Sequence, residues 1–150
     1  MNGWECKLSG LPDFAVISGP NGSGKTVLLK RIMDMEQKGG NLVIFLNWES
    51  FLKFRAEHAA KGSPTGALLL DFFMLVLKDI EGRDAGAGRF VVLVDDASGL
   101  LDDSQMNSIY TKLMELYFRG KIFKAYVTRV SSDTFKIRNI TREGSLMNDY

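Results

Sequence analysis

Eight consecutive residues carry the first chemistry in this chain. Gly19-Pro20-Asn21-Gly22-Ser23-Gly24-Lys25-Thr26 spell G-x-x-x-x-G-K-[ST]. The glycines let the backbone turn so that successive N–H groups point into one concavity, a cradle for phosphate oxygens. Lys25 is the type and position that reaches the β- and γ-phosphates of a nucleotide, and the Thr26 hydroxyl is placed to ligate Mg²⁺. All eight positions therefore read as a nucleotide cradle, for which the matching ligand is ATP with Mg²⁺. Such a loop works only between a strand and a helix. Phe14-Ala15-Val16-Ile17-Ser18 is an apolar run of strand length, and Val27 to Met33 reads as a helix whose positive N-terminal end faces the loop.

A second set of residues fits the same chemistry. Phe90-Val91-Val92-Leu93-Val94 is an apolar strand that ends in Asp95-Asp96. A carboxylate there is the expected Walker B partner, with Asp95 in the Mg²⁺ shell. Asp96 stands where many ATPases carry a glutamate that polarises the attacking water, and it is one methylene shorter. Thr128 closes the run Ala125-Tyr126-Val127-Thr128, a polar strand end expected to face the γ-phosphate. Arg119 and Arg129 are candidate arginine fingers acting on a neighbour's nucleotide. Arg119, at a helix end before Gly120, would also complement the helix dipole. Asn47-Trp48-Glu49 follows another apolar strand and is a candidate for coupling nucleotide to a partner, with packing as the alternative for Trp48.

The elements that must position these residues can be read along the chain. Strands are expected at 4–8, 14–18, 42–47, 90–94, 122–128 and 134–140. Helices are expected at 25–37, 49–60, 65–80 and 103–118. The 65–80 helix reads as a buried one, and the break at Lys61-Gly62-Ser63-Pro64 precedes it. Glu81 to Gly88 reads as a loop. Strands alternating with helices imply an α/β fold of three layers, with a mainly parallel central sheet and helices on both faces. The central strands lack apolar–polar alternation, as burial of both sheet faces requires. Ligands in such sheets bind beyond the carboxyl ends of the strands, where the phosphate loop sits.

Composition narrows the classes. The chain has 150 residues, 45% of them hydrophobic and 25% charged, which suits one soluble P-loop domain over 1–150. A net charge of +1 gives no global basic field for nucleic acid, so any such face must be local. Lys53, Arg55, Lys61, Arg83 and Arg89 are the possible contacts. One cysteine, Cys6, excludes an intramolecular disulfide and a cysteine-based metal cluster, and the lone His58 has no second histidine to join it on a metal. The longest apolar stretch, Gly66 to Leu77, is too short to span a bilayer and is broken by Asp71. No signal peptide is read at the N-terminus, so the expected setting is cytoplasmic, or virion-associated for a viral chain.

Two family resemblances follow from these residues. The short interval from Lys25 to Asp95, the Asp95-Asp96 pair, "LYFRGKIFKAYVTR" and "DTFKIRN" resemble the FtsK/HerA group of additional-strand ATPases, which includes viral genome-packaging ATPases. The chain departs from that group at Arg129, where glutamine is common, and at Asp96, where cellular members have glutamate. The resemblance implies an ATP-hydrolysing motor subunit in a homo-oligomeric ring, acting on DNA or RNA, with a capsid or other protein partner. Alternatively, "GPNGSGKTVLLKRI" resembles the loop of ABC and SMC-type ATPases, and Asp102 follows Asp95 at a spacing similar to their D-loop. No signature motif precedes Asp95, and Arg129 replaces their switch histidine. That resemblance implies a reduced ATPase, or an ATP-gated interaction module with weak hydrolysis.

Overall fold

The computed structural model describes residues 10–57, 66–83, 90–96, 99–132, 134–140 and 146–149. The expected strand at 4–8, Cys6, His58, Lys61 and Arg89 lie outside the described residues. In chain order the elements are β1 (Phe14–Gly19), α1 (Lys25–Lys38), β2 (Leu42–Leu46), α2 (Trp48–Glu57), α3 (Gly66–Glu81), β3 (Phe90–Val94), α4 (Asp103–Phe118), β4 (Lys124–Val130), β5 (Lys136–Ile140) and β6 (Leu146–Asp149).

The six strands form one sheet in the order β2-β3-β4-β1-β5-β6. β2, β3, β4 and β1 run parallel. β5 pairs antiparallel with β1, and β6 antiparallel with β5. β3 and the first four residues of β1 are fully apolar and buried, as interior strands covered on both faces must be. Side chains of adjacent strand residues point to opposite faces, and this divides the core in two. Phe14, Val16, Val92, Val94, Ala125 and Val127 pack with α2, α3 and α4. Ala15, Ile17, Val91, Leu93 and Tyr126 pack with Leu28, Leu29 and Ile32 of α1. The result is a three-layer α/β domain with a mainly parallel sheet and helices on both faces.

α4 shows why its residues form a helix where they do. Asp102 accepts a hydrogen bond from the Gln105 N–H at 2.8 Å, and the Gln105 side chain accepts from the Asp102 N–H at 2.9 Å. This capping box fixes the start. Met106, Ile109, Leu113 and Leu116 recur at helical spacing and are all buried. Each such side chain contributes about 1.5–3 kcal/mol on burial, against about 1 kcal/mol for the cap. Packing therefore holds the helix, and the cap decides its first residue.

Several boundaries differ from the expected ones. Asn47 leaves β2 to cap α2, accepting hydrogen bonds from the Ser50 N–H and hydroxyl. β4 runs on through Arg129 and Val130, because Arg129 pairs in register with Ser18 of β1. The expected buried helix is α3, yet Leu68 and Leu75 on its outer side remain exposed, at 37% and 54%. The inner side, with Leu69, Phe73, Leu77 and Ile80, is covered by the sheet and neighbouring helices. An apolar run measures how much surface a helix offers for burial; neighbouring elements decide how much is taken. Among the described residues no helix is long and apolar enough to cross a membrane.

One polar contact fastens the end of the sheet away from the phosphate loop. Glu36, buried on α1, accepts a hydrogen bond from Lys124 Nζ at 2.8 Å and from Asn41 Nδ2 at 2.6 Å. Removing the carboxylate strands the Lys124 ammonium and the Asn41 amide. Glu36→Ala is expected to lower stability by about 2 kcal/mol, read as a fall in the urea midpoint with unchanged slope.

Candidate functional site

The loop between β1 and α1 is shaped by glycine at three positions for two reasons. Gly22 and Gly24 have φ of 80° and 96°, left-handed values that favour glycine. Gly19 is fixed by crowding: a Cβ there would lie 2.8 Å from Ser23 Oγ and 3.1 Å from Phe135 Cα. Gly24 is the N-cap of α1, with no side-chain cap bond and no acidic residue in the first turn. The positive end of α1 is thus left open towards the loop. Asn21, Gly22, Gly24, Lys25, Thr26 and Val27 line a cleft of about 410 Å³ there.

Lys25 lies folded back on its own loop. Nζ donates to Gly19 O at 2.7 Å and to Pro20 O at 2.8 Å, and the residue is 5% exposed. Burial pushes its pKa below the ordinary lysine value, while the nearby Asp95 charge pulls it back up. An ammonium held by two neutral carbonyls in a desolvated place is poised to exchange them for an anion.

Thr26 and Asp95 meet across the fold. Thr26 Oγ1 donates to Asp95 Oδ2 at 2.8 Å. The other carboxylate oxygen accepts from Thr128 Oγ1 at 2.7 Å, and Thr128 in turn accepts the Asp96 N–H at 3.0 Å. The Asp95 N–H donates to Leu46 O at 2.8 Å, extending the β2–β3 ladder by one residue. This arrangement exists because β4, which carries Thr128, lies between β1 and β3. Thr128 is fully buried. Its hydroxyl spends its donor on Asp95 and accepts from Asp96, so in this structure it serves the carboxylate strand from within the sheet.

The donor set fits a magnesium ion shared with phosphate. Among the described residues, no group of three or more histidine, cysteine, aspartate or glutamate side chains gathers at one point. Mg²⁺ seldom needs such a cage: one or two protein oxygens, waters and substrate phosphates suffice. Thr26 and Asp95 are the pair that would hold it.

Asp96 does not join that pair. Asp95 turns towards α1, and the next residue turns to the other face, with Val94 and α4. Asp96 is 2% exposed there, and burial, with the Asp96 charge as a second cause, raises the pKa of Tyr110 on α4. The two arginines also separate. Arg119, at the end of α4, bonds Glu81 at 3.2 Å and Glu115 at 3.1 Å, level with the start of β4 and away from the loop. Arg129, beside Thr128, ion-pairs with Asp103 at the start of α4, on the phosphate-loop edge. Asn47 caps α2 and Trp48 packs on Phe51 at 5.4 Å, so this segment is held by local structure. Lys53 is exposed, Arg55 lies over the Phe51 ring, and Arg83 pairs with Asp79 at 3.0 Å. Sequence reading missed Tyr110, which fits the amphipathic pattern of α4 as an ordinary core residue; only the packed fold brings it near Asp96.

Strand order, loop and cross-sheet contact together define a domain of the P-loop NTPase fold. No family model matches the chain, and no curated protein matches it. Among solved structures it is similar to AMPPCP-bound DnaA from Aquifex aeolicus, with a TM-score of 0.46 and 22% identity. The alignment covers 85% of this chain and 36% of that one, so the chain spans about a third of its length. The topology described above, not this likeness, defines the fold.

Two outcomes follow from the geometry. Thr128→Val removes a donor to Asp95 and the acceptor of the Asp96 N–H, and is expected to cost about 1–3 kcal/mol in denaturant unfolding. Thr128→Ser keeps the hydroxyl and is expected to cost about 1 kcal/mol or less. The second outcome concerns Lys25. A bound phosphate favours the charged ammonium and raises the lowered pKa. Between the ligand-free and bound values, binding takes up a proton, so affinity for ATP falls as pH rises through that window. Calorimetry in two buffers of different ionisation enthalpy is expected to show proton uptake at alkaline pH; net release would contradict it.

Proposed function

We propose that this domain binds ATP with Mg²⁺ at Gly19 to Thr26 and hydrolyses it as one subunit of an oligomeric motor acting on nucleic acid. The observation that carries the nucleotide reading is the 2.8 Å contact between Thr26 and Asp95, which brings the two metal-side groups to one mouth beside Lys25. On binding, Lys25 leaves the Gly19 and Pro20 carbonyls for phosphate oxygens. Thr26 and Asp95 are the residues that would hold the ion, which would supply charge neutralisation at the phosphates. Thr128 keeps the Asp95 carboxylate aimed. Asp96 turns from the α4 face to orient water. Arg129, already at the loop edge, is better situated than Arg119 to reach a neighbouring subunit's nucleotide.

The motor role rests on the resemblance to the FtsK/HerA group. It includes membership of the additional-strand class, which the position of β4 between β1 and β3 supports. A homo-oligomeric ring, DNA or RNA as track, and a capsid or other protein partner belong to this proposal. One observation favours a second reading: Asp96 is buried on the far face of the sheet. That suits an ATP-gated interaction module with weak hydrolysis.

ATP hydrolysis by the purified chain, with and without DNA or RNA, separates the two readings. The motor reading expects turnover that rises with nucleic acid and disappears in Lys25→Ala. Tight ATP binding with no turnover under any of these conditions would sink it and leave the interaction module.

A further inference from the structure

We propose that the outer edge of β2 is a self-recognition surface, on which β2 of a second copy of this chain pairs antiparallel and joins the two sheets into one. The proposal goes beyond the nucleotide reading and does not depend on it.

β2 stands at one end of the sheet, with β3 and β4 between it and β1. Among the described residues it pairs on one side only, with β3, in unbroken register. Edge strands are ordinarily guarded by charge, proline or a bulge. Leu42–Leu46 has none of these, and no residue from Gly39 to Trp48 is charged. Backbone groups of successive strand residues point to opposite sides. The Leu46 carbonyl accepts from the Asp95 N–H, so Leu42, Ile44 and Leu46 turn their backbone towards β3. Val43 and Phe45 turn theirs outwards, where the Phe45 carbonyl accepts from Ser50 Oγ at 2.9 Å. The Val43 N–H and carbonyl and the Phe45 N–H have no partner among the described residues.

This pattern of open and occupied groups fits a second β2 in one register. With Val43 on a two-fold axis, the two Val43 residues exchange both of their hydrogen bonds. Phe45 then stands opposite Asn41 of the second copy, and its N–H meets the Asn41 carbonyl. The other two groups of that pair are already satisfied within each copy. The Phe45 carbonyl holds Ser50, and the Asn41 N–H donates to the Glu36 carbonyl at 3.0 Å. Leu42, 53% exposed, comes to lie against Ile44 of the second copy. Charge agrees with the antiparallel sense. Exposed Lys38 precedes the uncharged stretch and exposed Glu49 follows it, so each base is brought to the end that carries the other copy's acid. Parallel pairing would set like charge near like. The match of hydrogen bonds and charge to themselves selects a second copy over an unrelated strand.

Sedimentation of the full chain without nucleotide tests this. Proline at position 43 removes the outward N–H, and a sheet edge accepts it. The wild-type particle is therefore expected to have twice the mass of folded Val43→Pro, whether the paired unit is one chain or a ring. Equal masses overturn the proposal, as does a wild type that stays monomeric at every concentration. A monomeric wild type that takes up an unrelated extended apolar peptide overturns the second copy as occupant. If Val43→Pro does not fold, single cysteines in a Cys6→Ser background decide. Val43→Cys would face itself across the axis with Cα atoms about 5.5 Å apart, within disulfide reach. Leu42→Cys, though at a well-exposed position, would face Ile44 instead. Oxidation is expected to give several-fold more cross-linked dimer for Val43→Cys; equal or inverted yields overturn the pairing.

Discussion

The Asp95 carboxylate is the point on which the rest of the structure converges. One oxygen accepts from Thr26 on the phosphate-loop side, and the other accepts from Thr128 inside the sheet. The backbone N–H beneath it continues the β2–β3 ladder. Three segments, distant in sequence, are thereby tied through one buried side chain. Each tie needs another part of the fold. Thr26 requires α1 to begin at Lys25, just after its N-cap Gly24, and Thr128 requires β4 between β1 and β3. Charge buried at this depth is tolerated only when both oxygens are satisfied. The hydrogen bonds therefore select the strand order as much as they depend on it.

The same constraint separates roles that look equivalent in sequence. Asp95 and Asp96 are adjacent, yet strand geometry sends them to opposite faces. Arg119 follows α4, level with the start of β4, and Arg129 lies near the other end of β4, one among glutamates and the other beside the loop. Lys25 shows a further economy. Its ammonium donates to two of the loop's own carbonyls, which partly offsets the desolvation of the charge.

Much of this was legible in the sequence because phosphate chemistry allows few substitutes. The glycines, Lys25 and Thr26 have residue types that no other arrangement explains as well. The all-apolar runs at 14–18 and 90–94 are legible as interior strands for a similar reason: only burial on both faces removes alternation. What stayed hidden depends on neighbours. The antiparallel addition of β5 and β6 leaves no periodic mark in such short segments. The exposure of Leu68 and Leu75 depends on which elements flank α3, not on α3 itself. The orphan hydroxyl of Tyr110 is visible only once α4 is docked, since its helical spacing is that of any core residue.

The position of β1 in the sheet has a consequence for how the domain comes into being. Its two partners are β4 and β5, both made long after the phosphate loop itself. During synthesis from the N-terminus, residues 14–26 leave the ribosome with neither neighbour yet in existence. Local contacts give α1 and its loop little support in that interval, because pairing between distant segments must first overcome loop-closure entropy. A nascent chain of this sequence therefore cannot present the finished loop between β1 and α1 until the strands that flank β1 have been made.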